Sequence, residues 1–297
     1  MNVSNAITKI TAPILGKFGI SYIPFSQEWN GLGNRVKGLC NFYSYVGGKN
    51  RNFIMLWNTR QWVTAPFNAL FTLDGCRIVE INNGFVYSIL KFFWRRFIPC
   101  SVVSDAYPFW SFILPDQMRR PEFTHRWSFC AFDSYSVDWW FDKTPDDVRE
   151  YYRPFFKALQ PSKEVLRRIR SFEFDLRKLV GVQIRNSNNK EDQKDVASIE
   201  TIIQIMNSFD SDQHFFISCM KSEVAERFHL QFGIRVHELP VKDYTSMIDA
   251  VADMWLLGHC REMVASPEST FSEVSWWWGG AVQPVRMVNA EFNQRQL

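Results

Sequence analysis

Between Leu179 and Val288 the chain alternates short apolar runs with stretches of helical spacing, and no other feature restricts its fold as much. Leu179 to Ile184 reads as a strand. Ile199, Ile202, Ile203 and Met206 mark one face of a helix, and Phe215 to Cys219 is the next strand. Helices are predicted from Ser222 to Phe232 and from Asp243 to Leu257, with strands at Glu262 to Ala265 and Val285 to Val288. Strands alternating with helices predict a parallel α/β sheet, whose ligands bind beyond the carboxyl ends of its strands.

The first half carries a weaker version of the same pattern. Ile20 to Phe25 reads as a strand, Gly31-Leu32-Gly33 as a turn, and Val36, Leu39, Cys40 and Tyr43 as one helical face ended by Gly47-Gly48. The apolar run Phe53 to Trp57 is the length of a strand buried on both faces. The order strand, loop, helix, strand is a βαβ unit. Pro99 to Asp142 is dense in aromatics and irregular. Thr144-Pro145-Asp146-Asp147 looks like a helix start, and Pro154 and Pro161 punctuate the residues after it. The expected domains are therefore 1–155 and 156–297.

A chain of 297 residues, 46% hydrophobic, has ample material for two such cores. The net charge of +3 lacks the dense basic face of a nucleic-acid binder. The six cysteines include no C-x-x-C pair, which argues against a zinc knuckle, and Cys219 and Cys260 read as buried thiols. Lys9 and Lys17 interrupt the amino-terminal apolar stretch, so it does not read as a signal peptide. No window approaches the roughly 18 apolar residues of a membrane span. The expected compartment is a reducing cytoplasm.

Four groups of residues could carry chemistry. Arg185 falls at the carboxyl end of a buried strand, where it either emerges into solvent or clamps a pyrophosphate with two parallel hydrogen bonds. Asp253 sits in the apolar helical run Ala250 to Leu257. It either shares a solvent stripe with Asp249 one turn earlier or accepts hydrogen bonds inside a site. In Asn30 to Arg35 the glycines let backbone approach a ligand, although G-x-G here lacks the third glycine of the dinucleotide fingerprint. The fourth group is the hydroxyl run Ser266-Pro267-Glu268-Ser269-Thr270-Phe271-Ser272-Glu273. Thr270 and Glu273 fit a capping box, and Ser266-Pro267 fits an N-cap followed by N1. Hydroxyls at a helix amino terminus also suit an anion such as a phosphate. No G-x-S-x-G elbow, H-E-x-x-H or P-loop is present, and the histidines lack metal-ligand spacing, His229 and His237 reading as surface residues. Trp276 to Trp278 could stack a base or sugar, but read first as helix packing against the core.

Taken in order, these segments resemble the fucosyltransferase superfamily, which includes the α1,2-, α1,6- and protein O-fucosyltransferases and the nodulation enzymes. Asn30 to Leu39 is similar to its G-L-G-N-R turn, and Val180 to Asn188 to its V-G-V-H-x-R-R-x-D motif. Phe216 to Val224 is similar to F-L-A-T-D-D-P-E-V, and Ile248 to Gly280 to the closing block containing S-x-S-T-F-S-x-x-x-W. The resemblance implies a GT-B arrangement: two Rossmann-like α/β domains facing a central cleft, the acceptor side amino-terminal and the nucleotide-sugar side carboxy-terminal. Carried over by position, Arg185 would bind the β-phosphate, with Ser269, Thr270 and Ser272 around the donor. Asp253 and Gln183 would read the base, guanine in that family, and Gly33, Asn34 and Arg35 would line the cleft opposite. No metal is needed, because arginine and helix dipole neutralise the departing diphosphate.

This chain also departs from the pattern. Asn186 replaces the second arginine, Asn188 the aspartate, and Met220-Lys221 the D-D pair. Glu191 and Asp192 come after Arg185 at about the distance where some members carry a catalytic carboxylate. The same stretch, Lys190 to Lys194, also reads as a solvated loop. The resulting expectation is an inverting, metal-independent glycosyltransferase using a GDP-sugar donor, fucose or a related sugar, and a glycan acceptor. The alternative is a degenerate, non-catalytic relative that binds a nucleotide or glycan.

Overall fold

The computed structural model describes residues 31–45, 53–59, 63–74, 76–86, 88–89, 141, 144, 146–185, 198–266 and 269–288. The chain forms two compact units. One comprises Met1–Asp138 with Pro145–Gln160, the other Trp139–Thr144 with Pro161–Leu297.

In the first unit, helix α1 (Leu32–Tyr45) buries Leu32, Val36, Leu39, Cys40 and Tyr43 along one face. Its first backbone bond runs from the Arg35 N–H to the carbonyl of Gly31, so the helix begins inside the expected turn and Gly33 lies in its first coil. Strand β1 (Phe53–Asn58) pairs in parallel with β2 (Cys76–Ile81). Helix α2 (Asp146–Ala158) packs on α1 through an edge-on contact of Phe155 with Tyr43, their centroids 5.5 Å apart. Pro154 does not end α2 but lies within it. Pro154 is on the exposed side, while Tyr152, Phe155 and Phe156 hold the buried side down. The strand expected at Ile20 to Phe25 and the stop at Gly47-Gly48 lie outside the described residues.

The second unit is a five-stranded parallel sheet. Its elements in chain order are α3 (Lys163–Arg170), β3 (Leu179–Gln183), α4 (Ile199–Asn207), β4 (His214–Ser218), α5 (Ser222–Phe232), β5 (Val236–His237), α6 (Met247–His259), β6 (Glu262–Ala265), α7 (Thr270–Trp278) and β7 (Val285–Met287). The strand order is β5-β4-β3-β6-β7. Side chains alternate across β3. Val180 and Val182 join Ile202, Met206, Val224 and Phe228 of α4 and α5 in one apolar cluster. Gly181 points the other way, where a Cβ would stand 3.1 Å from Leu257 Cδ2 and 3.2 Å from Cys260 Sγ. That glycine lets the end of α6 lie close against the sheet. Helices thus cover both faces, as an all-parallel sheet requires.

Helix α3 and strand β5 of the second unit went unread in the sequence, as did β2 of the first. Helix α3 is short and strongly amphipathic, capped by Ser162, and β5 has only two residues. His237 on β5 is half-buried, not a surface residue. Its Nε2 lies 2.7 Å from His214 Nδ1 and the rings stack in parallel. Burial, with His214 and His229 nearby, pushes its pKa down to about 4.

Candidate functional site

The strand order reverses direction between β3 and β6: the chain leaves β3 towards β4 and β5, then returns to lay β6 on the other side of β3. Ligands of open parallel sheets bind at the carboxyl ends of strands at such a switch point. Gln183 and Arg185 leave the end of β3, and Ser266 leaves the end of β6. Ser266 is buried and joins the two strand ends. Its Oγ donates to the carbonyl of Gln183 at 2.8 Å and accepts from the Arg185 backbone N–H at 3.1 Å. Arg185 is half-buried, and its backbone is held at the mouth of the sheet. Ser266 is therefore a strand-end staple and not a helix cap.

The cap of α7 is Ser269, one residue earlier than the capping box predicted. Its Oγ accepts from the Ser272 N–H at 3.2 Å, and its carbonyl accepts from the Glu273 N–H at 3.1 Å. The hydroxyl proton of Ser269 is not used in that bond. Thr270 is the first helical residue and half-buried. Ser272 has no exposed surface and donates its hydroxyl to Gln183 Oε1 at 3.1 Å, so it acts on the site through the glutamine. With Oε1 accepting, the Gln183 amide offers a donor, Nε2, to a ligand.

Helix α6 brings two carboxylates inward, and neither lies on a solvent stripe. Asp249 accepts from both Nε (2.5 Å) and Nη2 (3.0 Å) of Arg168 on α3, and from the Asp243 N–H at 2.9 Å. Asp253 is 2% exposed. Its Oδ2 accepts from Ser218 Oγ at 2.9 Å and from Lys242 Nζ at 2.6 Å. Its Oδ1 is buried with no hydrogen-bond partner among the described residues. Burial pushes the Asp253 pKa up to about 6, against the lowering pull of Lys242 and Ser218. Burial also works against the charge on Lys242, but Asp253 outweighs it and the net direction for the lysine is upward. Lys242 further donates to the carbonyl of Cys219 at 3.2 Å and lies 4.9 Å from the Tyr244 ring centroid.

Sequence reasoning missed Lys242 and Ser218. Lys242 looks like an ordinary loop lysine, and only the path of the chain between β5 and α6 carries it to Asp253. In the first unit Arg35 is buried, with its guanidinium on the carbonyl of Asn58 and its Cζ 5.4 Å from the Trp57 ring centroid. Gly33 and Asn34 share the first turns of α1 with it. Glu191 and Asp192 lie outside the described residues. Among the described residues no group of three or more His, Cys, Asp or Glu side chains could hold a metal, and no helix is long and apolar enough to cross a membrane.

No family model matches the chain, and no curated protein sequence matches it. Solved structures do. The NodZ fucosyltransferase from Bradyrhizobium superposes with a TM-score of 0.54 at 17% identity, covering 86% of this chain and 93% of its own. POFUT1 in complex with GDP gives 0.53 at 13% identity, covering 91% and 99%. A mutant of Arabidopsis thaliana FUT1 in complex with GDP gives 0.54 at 14% identity, covering 97% and 78%. The fold is fucosyltransferase-like. The chain shares this α/β architecture with them at an identity where few side chains are shared.

Proposed function

We propose that this chain is a glycosyltransferase that moves a sugar, fucose or a related one, from a GDP-linked donor to a glycan acceptor. The observation that carries the reading is the Ser266 staple. It fixes the backbone of Arg185 at the switch point of the sheet, and α7 begins a few residues further along the chain from Ser266. A diphosphate there would meet the Arg185 guanidinium, the amino-terminal N–H groups of α7, and the hydroxyls of Ser269 and Thr270. The same contacts would stabilise it as the leaving group while the acceptor hydroxyl attacks the anomeric carbon from the opposite face, inverting it. Asp253 Oδ1 and Gln183 Nε2 would read the base, with Ser272 positioning the glutamine. NodZ soaked with GDP-fucose and POFUT1 in complex with GDP support the choice of donor class.

A metal-independent reaction, a base drawn from Glu191 or Asp192, cleft-lining roles for Gly33, Asn34 and Arg35, a division of labour near residue 155 and a cytoplasmic location all belong to the same proposal. A thermal-shift series tests it first: GDP should raise the melting temperature of the wild type, and Arg185→Ala should lose that shift while keeping its fold. An unchanged shift in Arg185→Ala refutes the placement of the diphosphate.

The neutral residues Asn186 and Asn188 and the Met220-Lys221 pair, where the family carries charge, favour a second reading: a relative that binds the nucleotide without turning it over. Release of GDP from GDP-fucose, with and without glycan acceptors, separates the two.

A further inference from the structure

Asp253 is a lopsided carboxylate. Both lone-pair positions of Oδ2 are taken, one by Ser218 Oγ and one by Lys242 Nζ, whereas Oδ1 is buried and unpartnered among the described residues. A carboxylate can accept about four hydrogen bonds, and leaving a buried acceptor unmade is costly, so a ligand N–H arriving at Oδ1 recovers that cost. Lys242 is as unevenly used. Of its three N–H donors, one goes to Asp253 and one to the carbonyl of Cys219. No further acceptor for Nζ stands among the described residues.

The acceptor Oδ1 and the donor Nζ, held in one ion pair through Oδ2, together complement a lactam edge, a ring N–H flanked by a carbonyl. Guanine offers that edge at N1–H and O6. Its exocyclic 2-amino group is a second donor on the other side of N1–H. Were the amine turned towards Oδ2, it would meet a saturated oxygen and the Lys242 ammonium, donor against donor. With O6 towards Lys242, each contact pairs unlike charges.

We infer that Lys242 is a specificity-determining residue: with Asp253 it selects a nucleotide by the lactam edge of its base and leaves the 2-amino group of guanine unread. This rests on the proposed nucleotide site and adds to it a second base-reading side chain. Hypoxanthine keeps the lactam edge and lacks the amine. Adenine reverses it, offering a ring acceptor and an exocyclic donor.

The test is calorimetric titration of the full chain with GDP, IDP and ADP. GDP and IDP are expected to bind within about threefold of one another, and ADP on the order of tenfold weaker or more, since each reversed contact loses a hydrogen bond to a charged group. GDP binding on the order of tenfold tighter than IDP, or ADP matching GDP, overturns the inference while leaving the nucleotide site standing. Binding of none of the three removes the site and the inference together. Lys242→Met, with its fold checked by circular dichroism, should lose the preference of GDP and IDP over ADP, and an unchanged preference overturns the role of the lysine. If that variant does not fold, the wild-type series decides alone.

Discussion

Gly258 and Gly279 meet backbone to backbone where the end of α6 crosses the end of α7. A Cβ built on Gly279 would stand 1.7 Å from the Gly258 carbonyl oxygen, and one on Gly258 would stand 2.1 Å from the carbonyl oxygen of Ser275. Both figures lie far inside van der Waals contact, and the obstacle is main chain, which cannot rotate aside. The crossing sets the distance between α6, which carries Asp253, and α7, whose first turn carries Ser269 and Ser272.

Gly279→Ala must therefore push the two helices apart. Overpacking of this kind costs about 1–3 kcal/mol, and a backbone clash belongs at the upper end. Chemical denaturation should show that loss. A variant as stable as the wild type would mean that the crossing is looser than described.

Arg168→Ala removes both guanidinium bonds from Asp249, whose side chain is 6% exposed. Stripping one partner from a buried pair costs about 3–5 kcal/mol, because the remaining charge stays desolvated, and this part-buried pair should fall at or below the lower end. Asp249→Asn in the same background should recover part of the loss, since it removes the stranded charge. Urea titrations of the single and double variants check this, and additive losses would argue against the pair.

Nucleotide affinity should fall as pH drops through about 6. Asp253 is pushed up to that value chiefly by burial, with Glu238 adding to the rise while Lys242 and Ser218 oppose it. Cys219 and Tyr244 lie beside Lys242, and Arg168 acts on Asp253 from α3. Protonation of Asp253 removes an acceptor charge, so binding weakens below the folded pKa. The apo protein responds in the opposite sense. A carboxylate whose folded pKa lies above its unfolded value near 3.9 contributes stability that is full below that value and is lost as pH rises through about 6. Calorimetry of GDP binding from pH 5 to 8 reads the first effect, and Asp253→Asn should flatten the profile.

Ser266→Ala deletes a donor to the Gln183 carbonyl and an acceptor for the Arg185 N–H. Leaving those groups unpaired should cost about 1–3 kcal/mol in stability and loosen the strand end that presents Arg185. A several-fold weaker GDP affinity is expected in isothermal titration. Equal affinity would show that Arg185 does not depend on the staple.

The apolar runs at 179–184, 215–219 and 262–265 determined β3, β4 and β6 by themselves, because a strand buried on both faces has to be apolar almost throughout. The hydroxyl run also announced a capped helix beginning near Thr270. Local rules could not settle which hydroxyl caps it. Ser266, the residue before the proline, is drawn instead to the end of β3, a contact 83 residues away along the chain. Pro154 read as punctuation because its cost is local, whereas the aromatic face that overrides it gains its stabilisation only on packing against α1. Lys242 and Arg168 carried no periodic signal at all. Their roles come from pairing with acids on α6, 11 and 81 residues distant, and burial gives those charges their meaning. Hydrophobic periodicity is written residue by residue, so the sequence determined the layers. Charge pairing depends on which loops close over which helix, so tertiary structure alone decided what the buried acids of α6 can bind.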